Sequence, residues 1–564
     1  MEMVQMRDNA SSFPLDDRPW IVVLDRTGQS RLVSLRQLFA EAGDLRSVVG
    51  DLPTQTFAIV RLLLAVLHRA VDGPANGRAW LALWRSPTLP TADVDAYLDE
   101  YRERLDLLHP ATPFYQVADL HTASGEPPGL ERLIADVPNG ALYLTSRLGV
   151  GLARVTPAEA ARWLVHCQAY DTSGIKSGVV GDPRVKGGRG YPIGIGWCGT
   201  LGGVLLEGTN LRETLLLNLV PEDFPYLRRG EDDAPVWERP PHGPAEERSA
   251  LRGPYGLLSL YTWQSRRVRL FGDEEAVTGA LIANGDKLST EDRHHLEPMS
   301  PWRRSTSKEK ELKRSPVYVP ARHDYTRALW RGLEALLPAS AVSASDGSPI
   351  IVPPLAQWLA RARVTGYIDA GARVTTRAIG VAYGTQQSVV DEVFDDALTM
   401  TVQAFDPSSG LRDLAVDSAA DADAGVRTLR TLAADLARAA GARGNTPSDA
   451  AKMAAETAYS ELDQLYRRWL ARLDPGTDPA VARTAWQRSV KRTLLRVGAG
   501  LVAQAGPAAW AGREVRDEKT EKTRYLCTPL ADMRFHRRLR QVLPLAVSSE
   551  PQPDESHDAK EVPV

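Results

Sequence analysis

The sequence predicts an α+β protein: a large mixed domain over residues 1–385, then an antiparallel four-helix bundle over 386–547. Two observations predict it. Strand-like and helix-like patterns alternate through the first part of the chain, whereas from about Gln386 onward the chain is rich in alanine, leucine and arginine at helical spacing. The segment from Ser548 is acidic and proline-rich, a composition that marks a disordered tail over 548–564.

Taken in order, Leu15–Leu38 reads as strand, turn and strand, then a helix start, with the turn at Arg26-Thr27-Gly28-Gln29. Pro53–Ala70 is expected to be a helix capped by Thr54, with Phe57, Val60, Leu64 and Leu67 on one face. Further helices are expected over Thr91–Leu107, Thr156–His166 (capped by Thr156, with Pro157 first) and Thr209–Leu219. Pro235–Pro254 and the basic Pro301–Pro316 read as loops. In the second part, helices are expected over Gln387–Ala404 and Leu411–Ala440. Two more open at Thr446-Pro447 and Asp478-Pro479. Ala455, Tyr459, Leu462, Tyr466, Trp469 and Leu473 form a seam for helix packing, and short connections favour an antiparallel bundle.

Composition narrows the function classes. Of 564 residues, 43% are hydrophobic and 25% charged, as in an ordinary globular chain. The N-terminus has no secretory pattern, and no apolar run spans a membrane, since Arg61 interrupts Ile59–Leu67. The three cysteines, Cys167, Cys198 and Cys527, form no CxxC pair, which argues against a disulfide framework or cysteine-rich zinc site and for the cytoplasm. With 68 basic and 71 acidic residues the net charge is −3, unlike a free-standing DNA binder. That balance still suits a protein using a local basic patch while sister subunits carry more charge.

Residues 171–208, DTSGIKSGVVGDPRVKGGRGYPIGIGWCGTLGGVLLEG, are loaded with glycine and hold Lys176, Arg184, Lys186 and Arg189. Such a segment breaks helices and permits close backbone approach. One reading is a stand-alone enzyme binding a nucleotide or phosphorylated substrate. However, Gly174-Ile175-Lys176-Ser177 lacks the second glycine of a phosphate loop, and no GxGxxG follows a strand. His294-His295-Leu296-Glu297 has the wrong spacing for an HExxH metal pair and reads as a surface loop. No catalytic residue, metal or cofactor is expected.

Several segments together resemble the CasA family, the large subunit of type I-E CRISPR surveillance complexes (Cascade). They are FPLDDRPWIVV with the following LVSLRQLF, Thr112-Pro113-Phe114-Tyr115-Gln116, Gly174–Gly178, and Leu211–Asn218 (LRETLLLN), in family order and spacing. The resemblance implies a non-catalytic subunit that reads a protospacer-adjacent motif from the minor groove of double-stranded DNA. It also implies wedging of the duplex to start an R-loop and recruitment of a helicase-nuclease. Implied partners are guide RNA, target DNA and the other Cascade subunits, with no membrane. Protein reads the short motif while base pairing reads the long sequence.

The resemblance places the motif-binding loop at Asp171, Thr172, Ser173, Gly174 and Lys176; a structural turn is the alternative. It places the duplex wedge at Gln386 and Gln387, where a helix-capping turn is the alternative. It places a lysine finger at Lys287, or else a solvated turn lysine. A loop at the guide-RNA end falls within Leu142–Val150 and includes Arg147. In the bundle, Arg488, Lys491, Arg492 and Arg537 are candidate DNA or partner contacts, against a merely solvated helix face.

Overall fold

The computed structural model describes residues 11–137, 147, 152–247, 253–339, 349–516 and 523–546, so the tail over 548–564 lies outside it. The chain divides into two compact units, Met1–Arg412 and Asp413–Val564. The first is mixed α and β with several small antiparallel sheets, and the second is helical.

Unit one begins as the pattern predicts. Strands β1 (Ile21–Asp25) and β2 (Ser30–Val33) pair antiparallel, with Ile21 opposite Val33. The turn closes because the Asp25 carboxylate accepts from the backbone N–H of Thr27 and Gln29, and Gly28 takes a φ of 88° that favours glycine. Ser34 and Gln37 form a reciprocal capping box at helix α1 (Leu35–Glu41), and β3 (Leu45–Val48) adds to the other edge of β1.

Helix α2 (Pro53–Ala70) is buried on every side from Thr54 to His68. It is capped at Leu52 without a side-chain bond. The expected cap, Thr54, lies inside the helix and meets His166 Nε2 at 2.9 Å. Arg61 sits mid-helix at 1% exposure and forms a fork with Glu297 at 2.7 and 2.8 Å. Trp197 Nε1 and the Met299 backbone N–H also donate to this carboxylate, and the Tyr261 ring lies 4.4 Å from the Arg61 guanidinium. Burial opposes the charge, yet Glu297 holds the Arg61 pKa above its ordinary value. Glu297 is therefore a core residue at 0% exposure, which corrects the surface-loop reading of its segment.

Helix α3 (Pro157–Tyr170) is capped by Thr156 as expected and runs four residues past His166. The other expected helices are shorter: Thr91–Glu100 gives way to a 3-10 turn, and Leu211–Leu217 is capped by Asn210. Strand β4 (Gly203–Glu207) follows the glycine-rich segment, and β5 (Arg266–Gly272) pairs with β6 (Val277–Asn284). The basic segment 301–316 is not a loop throughout; it holds strand Trp302–Arg304 and helix Thr306–Leu312.

The main departure concerns residues 387–404. Instead of a helix, they supply β8 (Val390–Thr401), which pairs with β7 (Arg373–Tyr383) in a long hairpin; β7 also pairs with β4. Val390, Val393 and Ala397 step by three and four, a helical spacing, but the eleven-residue partner β7 pairs along the segment and decides for a strand.

In unit two, α4 (Leu411–Ala440), α5 (Thr446–Leu470), α6 (Pro479–Ala503) and α7 (Thr528–Val542) form the bundle. Thus α7 supplies the fourth helix that 387–404 does not. Neighbouring helices run antiparallel, as their contacts show. Tyr459 bonds Asp423 and Tyr466 bonds the Ala415 carbonyl, while Trp469 bonds Ala482 and Arg496 pairs with Glu461. Of the predicted seam, Ala455, Leu462, Tyr466 and Leu473 are buried, and Trp486 packs edge-on against Tyr466. Asp478 caps α6 as expected, whereas α5 is preceded by Asn445 and Thr446 is already helical.

Replacing Glu297 by alanine strands the Arg61 cation in the core of unit one. We expect a loss of about 3–5 kcal/mol, read as a lower denaturant midpoint for the unit-one transition with the bundle transition unmoved.

Candidate nucleic-acid interface

Helix α3 ends at Tyr170 and delivers the chain into Asp171, Thr172, Ser173 and Gly174. Burial works against an ionised Asp171, but Lys176 and Arg266 outweigh it and hold its pKa below the ordinary carboxylate value. Lys176 Nζ lies 2.6 Å from the carboxylate, and Arg266 Nε bonds the same oxygen. Arg266, on β5 and 1% exposed, also donates to the carbonyls of Thr172 and Gly194, both at 2.8 Å. One guanidinium thus clamps two points of the glycine-rich segment. Gly196 completes the clamp: its N–H donates to the Asp171 carbonyl, and a Cβ there would lie 2.5 Å from the Ala169 backbone.

Asp171 and Lys176 therefore point inward and shape the loop. Lys176 is 7% exposed, so its ammonium is committed to Asp171 and is not offered outward, either to DNA or to a nucleotide phosphate. Thr172, Ser173 and Gly174 are half-buried, and a Cβ on Gly174 would meet no described atom within 4 Å.

The tip of the β7–β8 hairpin carries Gln386 and Gln387, with φ of 56° and 57°. Two successive non-glycine residues in the left-handed region cost roughly 1–2 kcal/mol each. The turn is held by Gly384 N–H to Val389, Gln387 N–H to Gly384 and Ser388 N–H to Thr385. It is then fastened to the loop twice. Ser173 N–H donates to the Gln387 carbonyl at 2.8 Å, and Tyr383 Oη donates to the Tyr170 carbonyl at 2.7 Å. The two elements that sequence assigned separately meet here, with Gln386 exposed and Gln387 half-buried.

Lys287 is exposed on the turn after β6, and its N–H donates to Glu246. This turn is tied to the glycine-rich segment by Arg184, which donates to the Asn284 and Gly285 carbonyls, both at 2.9 Å. Arg147 pairs with Asp136 at 3.4 Å and Glu159 at 2.6 Å; the rest of the Leu142–Val150 loop lies outside the described residues. On the bundle, Arg488, Arg492 and Arg537 are exposed, whereas Lys491 Nζ donates to the Ala546 carbonyl at 2.7 Å.

Among the described residues, His242, Glu247 and Asp286 bring potential metal-ligand atoms within 4.8 Å of one another. They are already engaged, His242 with Glu247 at 2.6 Å and Asp286 with Arg267 at 2.8 Å, and the Arg267 cation opposes a metal there. Among those residues, no helix is long and apolar enough to cross a membrane.

The model of the CRISPR-associated protein Cse1 family matches residues 14–497. The chain belongs to the Cse1 (CasA) family. It is similar to the crystal structure of Thermobifida fusca Cse1, at 46% identity and a TM-score of 0.88, covering 96% of this chain and 100% of that one. The CasA/Cse1 protein of Thermus thermophilus is 32% identical over 333 residues, 58% of this chain and 60% of that protein, so this alignment spans under two thirds of its length. A chain of a CRISPR RNA-guided surveillance complex shares the fold, with a TM-score of 0.62 at 18% identity over 87% of this chain and 99% of that one.

What sequence reasoning missed is the clamp. Arg266 and Arg267 open a strand that also holds Arg269, and nothing in one dimension shows that these two are buried or names their partners. A second omission is His166, which burial holds neutral by pushing its pKa down to about 4, with Asp171 acting in the opposite sense. An unfolded histidine binds its proton near pH 6.5, so the unfolded state takes up a proton that the native state refuses between those values. Stability from this residue is complete above pH 6.5 and is lost as pH falls toward 4. We expect His166→Gln to flatten the decline between pH 6.5 and 5 by about 2 kcal/mol, measured by denaturant unfolding at each pH.

Proposed function

We propose that this chain is the non-catalytic large subunit of a type I-E, RNA-guided surveillance complex. In this reading it recognises a protospacer-adjacent motif from the minor groove, opens the duplex to begin R-loop formation, and helps recruit a helicase-nuclease. Its partners are guide RNA, double-stranded target DNA and the other subunits of the complex. The observation that carries the reading is the Ser173–Gln387 bond, which joins a motif loop to a wedge turn in one rigid device.

The chemistry suits the task. Thr172–Gly174 present backbone and small side chains, and Gly174 faces open space, so nothing described within the fold requires glycine there. The open space there leaves room for a base edge to approach the backbone closely. Minor-groove readout distinguishes A·T from G·C but not A·T from T·A, which gives tolerance among related motifs. Asp171, Lys176 and Arg266 hold the loop in shape, and the exposed Lys287 is assigned to phosphate or base contact. The glutamine amides supply both donors and acceptors to replace lost pairing without selecting a sequence. Their strained backbone is the mark of a turn kept for work beyond folding. The exposed Arg488, Arg492 and Arg537 of the bundle are assigned to DNA or partner contacts.

Gln387→Ala should slow strand opening on linear duplex by roughly 10-fold, the scale of one stacking step. A target already mismatched beside the motif should bind almost normally. Equal failure on both targets would remove Gln387 from the wedge. Lys287→Ala should weaken motif-dependent capture and lower the salt dependence of binding by about one counterion. An unchanged salt slope, measured with the assembled complex, would show that Lys287 is only a solvated turn residue.

A further inference from the structure

Two adjacent arginines open β5, and successive side chains on a strand point to opposite faces. Arg266 goes to the motif loop, where it bonds Asp171, Thr172 and Gly194. Arg267, also 1% exposed, goes the other way. Its Nη2 donates to the Asp286 carboxylate at 2.8 Å and to the Ala245 carbonyl at 3.2 Å. Its Nε donates to the Gly243 carbonyl at 3.0 Å. Arg267 thus ties segment 243–247 to Asp286, the residue before Lys287.

The backbone up to Asp286 is fixed independently. Arg266 stands opposite Asn284 and Arg267 opposite Ala283 in the β5–β6 ladder, so the turn leaves β6 beside both arginines. The N–H groups of Gly285 and Asp286 donate to the Ser265 and Gln264 carbonyls, both at 3.0 Å. The Trp263 ring N–H donates to the Asp286 carbonyl at 3.1 Å. A Cβ on Gly285 would lie 2.4 Å from the Gln264 carbonyl oxygen, so this close approach needs glycine. Segment 243–247 completes the hold. The Glu247 N–H donates to the Asp286 carboxylate, and Glu246 Oε1 accepts from the Lys287 N–H, each at 3.0 Å. Glu246 also pairs at 3.3 Å with Arg184 of the glycine-rich segment.

Lys287 therefore has a bound backbone and an exposed side chain. A lysine that meets a ligand loses rotamer freedom, and a loose backbone would add its own ordering cost. Holding the backbone removes that addition. It also sets the distance from Lys287 to Thr172–Gly174, because Arg266 and Arg267 are neighbours on one strand.

We propose that Arg267 and Glu246 are positioning residues for Lys287: they fix the turn that presents it, so that the lysine and the motif loop reach one DNA site at a set separation. The proposal rests on the assignment of Lys287 to DNA contact and adds how that contact becomes selective. Both residues act through the turn and not by touching DNA. A fixed separation matches one groove shape, so loosening it weakens capture of the motif more than binding to duplex without it.

The test uses the assembled, guide-loaded complex and two duplexes, one with a motif the wild type selects from a randomised library and one with that motif scrambled. Both are titrated across a salt series. Glu246 is half-buried, so Glu246→Ala should fold. It should weaken capture of the motif duplex about 5-fold and of the scrambled duplex less than about 2-fold. Its salt slope should fall toward that of Lys287→Ala, a change that general loosening of the fold does not produce. Added to Lys287→Ala, it should have no further effect, because the group it positions is gone. Arg267→Lys keeps a cation beside Asp286 but loses the planar fork, and should behave alike. Unchanged capture in Glu246→Ala, or an equal loss with and without Lys287, would overturn the positioning role; if Lys287→Ala still weakens capture, the lysine reading stands alone. If Lys287→Ala leaves capture and salt slope unchanged, both fall.

Discussion

The arrangement of the glycine-rich region depends on the buried ion pair between Arg266 and Asp171. A region so rich in glycine has high conformational entropy when unfolded and little side-chain packing to offset it when folded. Arg266 supplies that restraint. From a regular β-strand its five donors reach the Asp171 carboxylate and the carbonyls of Thr172 and Gly194. A lysine lacks the planar fork needed to reach several acceptors at once. Because Asp171 directly follows α3, the clamp passes the rigidity of a helix into the loop.

A second buried cation organises the scaffold around it. Arg61 in α2 meets Glu297, and the same carboxylate accepts from Trp197 and Met299, so one satisfied network joins segments distant in sequence. Replacing such a network with apolar side chains often costs nothing in stability, but removing one partner leaves a stranded charge. Its contribution is therefore positional: α2 is held in register with the segment carrying Trp197 and with the turn before Met299. Both arginines illustrate how a chain of near-neutral net charge places its cations. A few, among them Arg61, Arg266 and Lys176, are spent inside on the geometry of the core and the loop, while others such as Lys287, Arg488 and Arg537 stay exposed.

The hairpin turn that we propose as a wedge shows the opposite economy. Gln386 and Gln387 occupy left-handed backbone conformations that residues other than glycine disfavour, and their turn is tied to Tyr170 and Ser173. In the proposed role, exchange of a DNA duplex for an RNA–DNA hybrid is nearly balanced, so a turn contributing one stacking step is sufficient to bias initiation. Rigidity matters more than strength in such a device. A flexible turn would lose its advantage in ordering entropy upon contact with DNA.

The sequence by itself determined the α+β class, the hairpin at Asp25–Gln29, the caps at Thr156 and Asp478, and three of the four bundle helices. These are local decisions, made by turn chemistry, capping and periodicity within a few residues. The resemblance in order and spacing also singled out residues 171–176 and 386–387, which the structure brings together through the Ser173–Gln387 bond. Only the tertiary structure decided the rest. Residues 390–401 became a strand because β7 was available to pair along its length, an interaction outweighing local helical pattern. Asp171 and Lys176 turned inward because Arg266, nearly a hundred residues away, completed their ion cluster. Glu297 became core because Arg61 required a counter-charge there. Charge pairing and strand pairing are satisfied in space, and a linear chain does not state which partner will arrive.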